Sequence, residues 1–136
     1  MKYLFPLLLW SSWAWAAEEH DDFLRQFVVG EYQIVGKPPD AKTTYLGHAT
    51  IQTSGSQLVI KRTIAGKTWV AQGRIEKTHE DVRVLRIRFL RDQASIEQTC
   101  LISSDLDNYA RITCYSYSPH AKTPDPGFEA YFPVKP

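Results

Sequence analysis

A chain of 136 residues with 43% apolar content is one domain's worth of polypeptide, long enough to bury a core of its own. Sixteen basic against fifteen acidic residues leave a formal charge of +1, which excludes a dedicated nucleic-acid binder needing a basic excess to meet phosphates. Two cysteines are too few for a structural zinc site of their own or for a disulfide-dense scaffold.

Residues 1–16 read as a secretory signal. Lys2 supplies the positive start, Tyr3 to Trp10 an apolar run too short to span a bilayer, and Ala14-Trp15-Ala16 a small-x-small cleavage site. The competing reading is a buried N-terminal helix, which the abrupt acidic stretch Glu18-Glu19-His20-Asp21-Asp22 disfavours. Cleavage would remove three of the four tryptophans and leave Trp69 alone in a single domain, residues 17–136. No later stretch is apolar and long enough for a transmembrane helix, so the expected product is exported, periplasmic or secreted. In an oxidising compartment Cys100 and Cys114, flanking the turn composition Ser103 to Asn108, are expected to form one disulfide across a hairpin.

Residues 18–27 are compatible with one short helix carrying Phe23, Leu24 and Phe27 on one side. From there the period is two, and strands are expected near 27–35, 43–53, 56–65, 67–77, 81–91, 94–103, 108–117 and 127–134. Turn signals between them include Gly36 to Asp40, Ser54-Gly55, Ala65-Gly66, Asp92-Gln93 and the proline-rich Pro119 to Pro126. Short links make the sheet antiparallel. Eight such strands are best satisfied as an all-β, eight-stranded up-and-down barrel, with an open two-sheet sandwich as the alternative. Whether residues 127–134 close the barrel or only strap across it is left open by Pro133.

With Ser54-Gly55 and Ala65-Gly66 as two-residue loops, Gly47 pairs with Arg62 and Arg62 with Trp69. One face then carries Tyr45, Gly47, Ala49, Ile51, Leu58, Ile60, Arg62, Ile64, Trp69, Ala71, Gly73 and Ile75, and is the interior. The small residues Gly47, Ala49, Ala71 and Gly73 either leave room or let the sheet coil tightly. Arg62 is the lone charge of that face and needs a carboxylate, a stacked ring or a ligand anion. Either it is an anion clamp walled by Tyr45 and Trp69, making these three the candidate ligand-binding residues, or it sits at the rim and reaches water over Trp69.

Between Val84 and Leu85 the apolar phase slips, as at a β-bulge, which would put Arg83, Arg86 and Arg88 on one polar face. That row suits an acidic partner or anionic lipid, or is a solvated face. The last hairpin carries Tyr109, Arg111, Tyr115 and Tyr117 outward, a candidate interaction surface that is equally a set of ordinary strand formers.

Gly30-Glu31-Tyr32, opening the first strand after a short helix, is similar to the G-x-W signature of lipocalins with Tyr for Trp. With eight meandering strands the chain resembles a lipocalin-like (calycin) barrel. The resemblance implies a ligand cavity, and an Arg from a late strand, here Arg111, packed on the aromatic residue at the closed end. No phosphate loop, metal-ligand spacing or nucleophile–base pairing occurs, and the carboxylates fall in turns and at the N-terminus, so neither catalysis, a metal nor a cofactor is expected. The expected function is an exported binding protein holding a small apolar or amphipathic, optionally anionic, ligand in the barrel. The alternative is an exported protein–protein module acting through its outer Tyr/Arg surface.

Overall fold

The computed structural model describes residues 11–136, with side chains from Ala17 onward. The expected leader therefore lies largely outside the described residues. The described chain runs α1 (Ser11–Phe27), β1 (Gly30–Lys37), β2 (Tyr45–Ser54), β3 (Gln57–Ile64), β4 (Lys67–Lys77), β5 (Arg83–Arg91), β6 (Ala94–Ser104), β7 (Ala110–Tyr117) and β8 (Gly127–Pro133). Every consecutive pair of strands is antiparallel, and β8 pairs back onto β1 from Tyr32↔Pro133 to Lys37↔Phe128, closing the barrel. The expected strand 127–134 is thus the closing strand, one residue shorter at Gly127–Pro133, and Pro133, which has no N–H to give, sits at the end of the ladder to β1.

Turn chemistry sets the registers. Ala65 and Gly66 both have positive φ, as a type I′ hairpin requires, and hold the expected Arg62↔Trp69 pairing. The preceding hairpin is shifted by two residues from the expected register: Ser54 pairs with Gln57, and the loop is Gly55-Ser56. Gly55, at φ 62°, supplies the positive dihedral at the first loop position, where a II′ turn wants glycine. Arg62 therefore faces Ala49 rather than Gly47. A two-residue shift keeps every side chain on its own face, so the expected interior stands.

The β-bulge does not occur. Val84 pairs with Glu76 and Leu85 with Ile75 in an unbroken ladder. Both apolar residues are buried even though they lie on opposite faces, and that double burial produced the apparent slip. Without the bulge, Arg83 and Arg91 share the inner phase with Leu85, and only Arg86 and Arg88 project outward. Arg83 reaches α1 instead, donating from Nε to Asp21 at 2.5 Å.

One end of the lumen is solid. Ile34, Ile51, Leu58, Ile60, Leu85, Ile87 and Ile112 are fully buried there, and α1 covers that end with Phe27 packed on the core and Val28 inside it. The small-residue cluster opens no space in this region. A Cβ on Gly73 would meet Ile60 at 2.8 Å, and one on Gly47 would meet the Thr63 carbonyl at 2.5 Å. Their role is close approach of neighbouring strands. Cys100 and Cys114 are cross-strand partners joined by a disulfide, both fully buried.

Candidate functional site

The other end of the lumen is polar at its floor. Arg62, 2% exposed on β3, points inward and meets Glu129 of β8, 1% exposed. The guanidinium spans both carboxylate oxygens: Nη1 donates to Oε1, and Nη2 donates to Oε2 at 2.7 Å. Tyr45 of β2 also donates to Oε2, and Gln98 of β6 donates to Oε1 at 3.0 Å and to the Ser116 hydroxyl at 2.9 Å. Tyr131 accepts from Arg62. Burial alone would raise the Glu129 carboxyl, but the hydrogen bonds and charge of Arg62, with Tyr45, hold it below the usual carboxylate range. Tyr45 and Tyr131 are pushed the other way, first by burial. The carboxylate accepts four hydrogen bonds, which leaves it no spare lone pair in the plane.

Arg62 itself is not fully matched. Its Nε is the one buried side-chain polar atom among the described residues without a hydrogen-bond partner. Its Cζ lies 4.6 Å from the Phe89 ring centroid, so a stacked ring and a carboxylate meet the need that a buried Arg carries. Above this floor is a cavity of about 50 Å³, lined among others by Tyr45, Arg62, Trp69, Phe89, Ile96 and Pro39. The three sequence-predicted ligand residues, Tyr45, Arg62 and Trp69, are therefore brought together in one wall. The volume is far below the roughly 300–1,000 Å³ of a cleft enclosing a drug-sized molecule. It has room for one small group only. Outside it the mouth widens into a groove of about 550 Å³ that shares Pro38, Pro39, Arg91 and Ile96 with the cavity and adds Lys122.

Sequence reasoning missed Glu129, Gln98 and Ser116 and placed all carboxylates away from the interior. Position parity from Cys100 and Cys114 carries Gln98 and Ser116 inward, since they pair with each other two residues further along. For Glu129 the signal was misleading: β8 puts Phe128, Ala130 and Phe132 outward and Gly127, Glu129 and Tyr131 inward, so its more apolar face is the wet one.

The outward candidates follow one another along the outer face of β7, with Tyr109 just before it, and each makes its own contacts. Tyr117 belongs to a polar lattice in which Arg86 and Arg88 both bridge Glu76 and Glu97, and its hydroxyl donates to Glu97 at 2.7 Å. The outward arginines are thereby paired within the sheet rather than standing as a row of open charges. Tyr115 packs on Phe128 at 4.9 Å, Arg111 lies over Phe132 at 5.4 Å, and Tyr109 sits under Lys135. Arg111 is consequently not packed on Tyr32, as the resemblance implied; it is on the outer face and Tyr32 is in the lumen. Tyr32 instead donates to the Val28 carbonyl at 2.7 Å and packs edge-on to Tyr131, and burial pushes its hydroxyl up to about 12.

No group of His, Cys, Asp and Glu among the described residues is arranged to hold a metal ion, and no described helix is long and apolar enough to cross a membrane. The architecture is compatible with a lipocalin-like barrel; no family model, curated protein or solved structure matches the chain.

Proposed function

We propose that this is an exported binding protein that seats its ligand at the barrel mouth, with one small apolar or amphipathic group inserted in the cavity. The observation that carries the reading is a carbon-walled cavity between Trp69 and Phe89 over a buried Arg62 whose Nε has no acceptor. A ligand oxygen reaching Nε would satisfy that donor without adding charge. Because Glu129 already neutralises Arg62, the inserted group is better uncharged than anionic. The saturated carboxylate likewise supports binding over proton transfer. Export rests on the sequence of residues 1–16 and accords with the Cys100–Cys114 disulfide.

The test is native mass spectrometry of wild type and Trp69→Ala, each purified from its own secretory host and compared with the denatured sample. A species released from wild type and depleted at least fivefold in Trp69→Ala is the expected result. Equal release from both would remove the mouth from the binding site.

A second reading, a protein-interaction module, has its own observation. Leu101, Thr113, Ala130, Val35 and Leu46 form a register row across five strands on the outer face, with Leu101 and Leu46 at 57% and 75% exposure.

A further inference from the structure

The barrel wall is not paired along its whole height. The β4–β5 ladder runs from Lys77↔Arg83 to Gln72↔Arg88 and stops there, although β4 extends back to Lys67 and β5 on to Arg91. Lys67–Ala71 and Phe89–Arg91 have no partner across that seam among the described residues, whereas both remain paired on their far sides, to β3 and β6. The result is a wedge that opens at the mouth, with backbone N–H and C=O groups on its two lips. Its inner flanks are Trp69 and Phe89, which line the cavity, and its outer flanks are Val70 and Leu90, 61% and 62% exposed. A groove of about 430 Å³ lies along it, between β4, β5, β6 and His120.

Strand edges of this kind are templates for another strand. Most of the unpaired charge beside the wedge is positive, with Asp92 in the β5–β6 turn the exception. Lys61 (cross-strand neighbour of Val70), Lys67 and Arg91 make no ion pair among the described residues. Arg88, lower on the same seam, is already paired with Glu76 and Glu97. An added strand alternates its side chains, so inward positions would face the cavity and the rim cations Lys67 and Arg91, which share the phase of Trp69 and Phe89, and outward positions would face Lys61. The cavity's size suits one short side chain rather than a whole small molecule.

We infer that the occupant of the mouth is an extended acidic polypeptide segment that adds as a strand in the β4–β5 wedge, with one small apolar or hydroxyl side chain in the cavity and carboxylates toward Lys61, Lys67 and Arg91. This inference rests on the mouth being the binding site. It commits to backbone pairing as the source of affinity and to acidic sequence as the source of selectivity.

The test uses acetylated, amidated peptides of about seven residues, Glu throughout except for one central Ala, Val, Thr, Leu or Phe. Counterparts carry Lys in place of Glu, or N-methyl groups along one edge. Binding is read by calorimetry and by amide exchange. At least one acidic peptide should bind and slow exchange of amides within Lys67–Ala71 or Phe89–Arg91, with binding tenfold or more weaker for both its Lys and N-methyl counterparts. In a Lys67→Glu/Arg91→Glu variant, whose sites are exposed, the preference should turn toward the Lys peptide. A Val70→Cys/Leu90→Cys crosslink, compared with the matching Ser pair, should close the wedge and cut binding at least tenfold. Equal binding of the N-methylated peptide, or no loss on crosslinking, overturns the inference. If no peptide binds while the neutral amphiphile N-phenyl-1-naphthylamine binds wild type and not Trp69→Ala, the mouth stands as a binding site and the polypeptide class falls. If neither binds, both fall.

Discussion

Arg62 shows how far a single residue can be read. Alternation placed it indoors and burial physics demanded a partner, a carboxylate or a ring being among the choices. The structure supplies both, Glu129 and Phe89. What sequence could not supply was which carboxylate, because β8 carries aromatic side chains on its outer face and its pattern points the wrong side inward. The pair has a measurable signature. Glu129→Gln leaves a buried guanidinium without its counter-charge and should cost about 3–5 kcal/mol in urea unfolding, whereas Arg62→Leu/Glu129→Leu should lose much less. The sign of the pH effect follows from the Glu129 carboxyl being held below its ordinary 4.5. Its contribution is complete above that value and is lost as pH falls through the lower folded value, so wild type should weaken in acid more steeply than the double Leu variant. An equal acid slope in the two proteins would show that Glu129 is not ionised in the fold.

At the level of elements, period-two patterning located all eight strands, because one face of each is buried and the other wet. It failed where both faces are buried, at Val84 and Leu85, and where a turn rather than a pattern sets the register, at Gly55-Ser56. It could not reveal the β4–β5 wedge. A strand with one unpaired edge keeps the same inward and outward alternation as a fully paired one. The turn between β5 and β6 offers a test of local strain. Asp92 and Gln93 both have positive φ, at 48° and 68°, a region in which a side chain on Gln93 is disfavoured by about 1 kcal/mol. Gln93→Gly should therefore raise stability by about 0.5–1 kcal/mol in thermal or urea melts. A loss would mean that the Gln93 side chain makes a contact worth more than the strain.

Taken whole, the molecule is a barrel with a packed end and an adaptable one. Large aliphatic side chains and α1 fill the first; a polar floor, a small cavity and an incomplete seam make the second. Local stability should follow that division. Amides of Ile51, Ile60 and Ile87 should exchange slowest, and those amides of Lys67–Ala71 and Phe89–Arg91 that point into the seam rather than to β3 or β6 at least a hundredfold faster. Uniform protection along β4 would show that the seam is closed in solution.

The bond between Arg62 and Glu129 also bears on how the chain reaches this state. Its partners are 67 residues apart, one on the third strand and the other on the last to emerge during synthesis. A sheet assembled only through β7 has a guanidinium facing its forming interior and nothing to neutralise it. Half-built barrels are thus penalised by charge as well as by their open edges, and arrival of β8 removes both penalties in one step. Closure of this barrel should therefore be cooperative, with the seven residues of β8 acting as the latch.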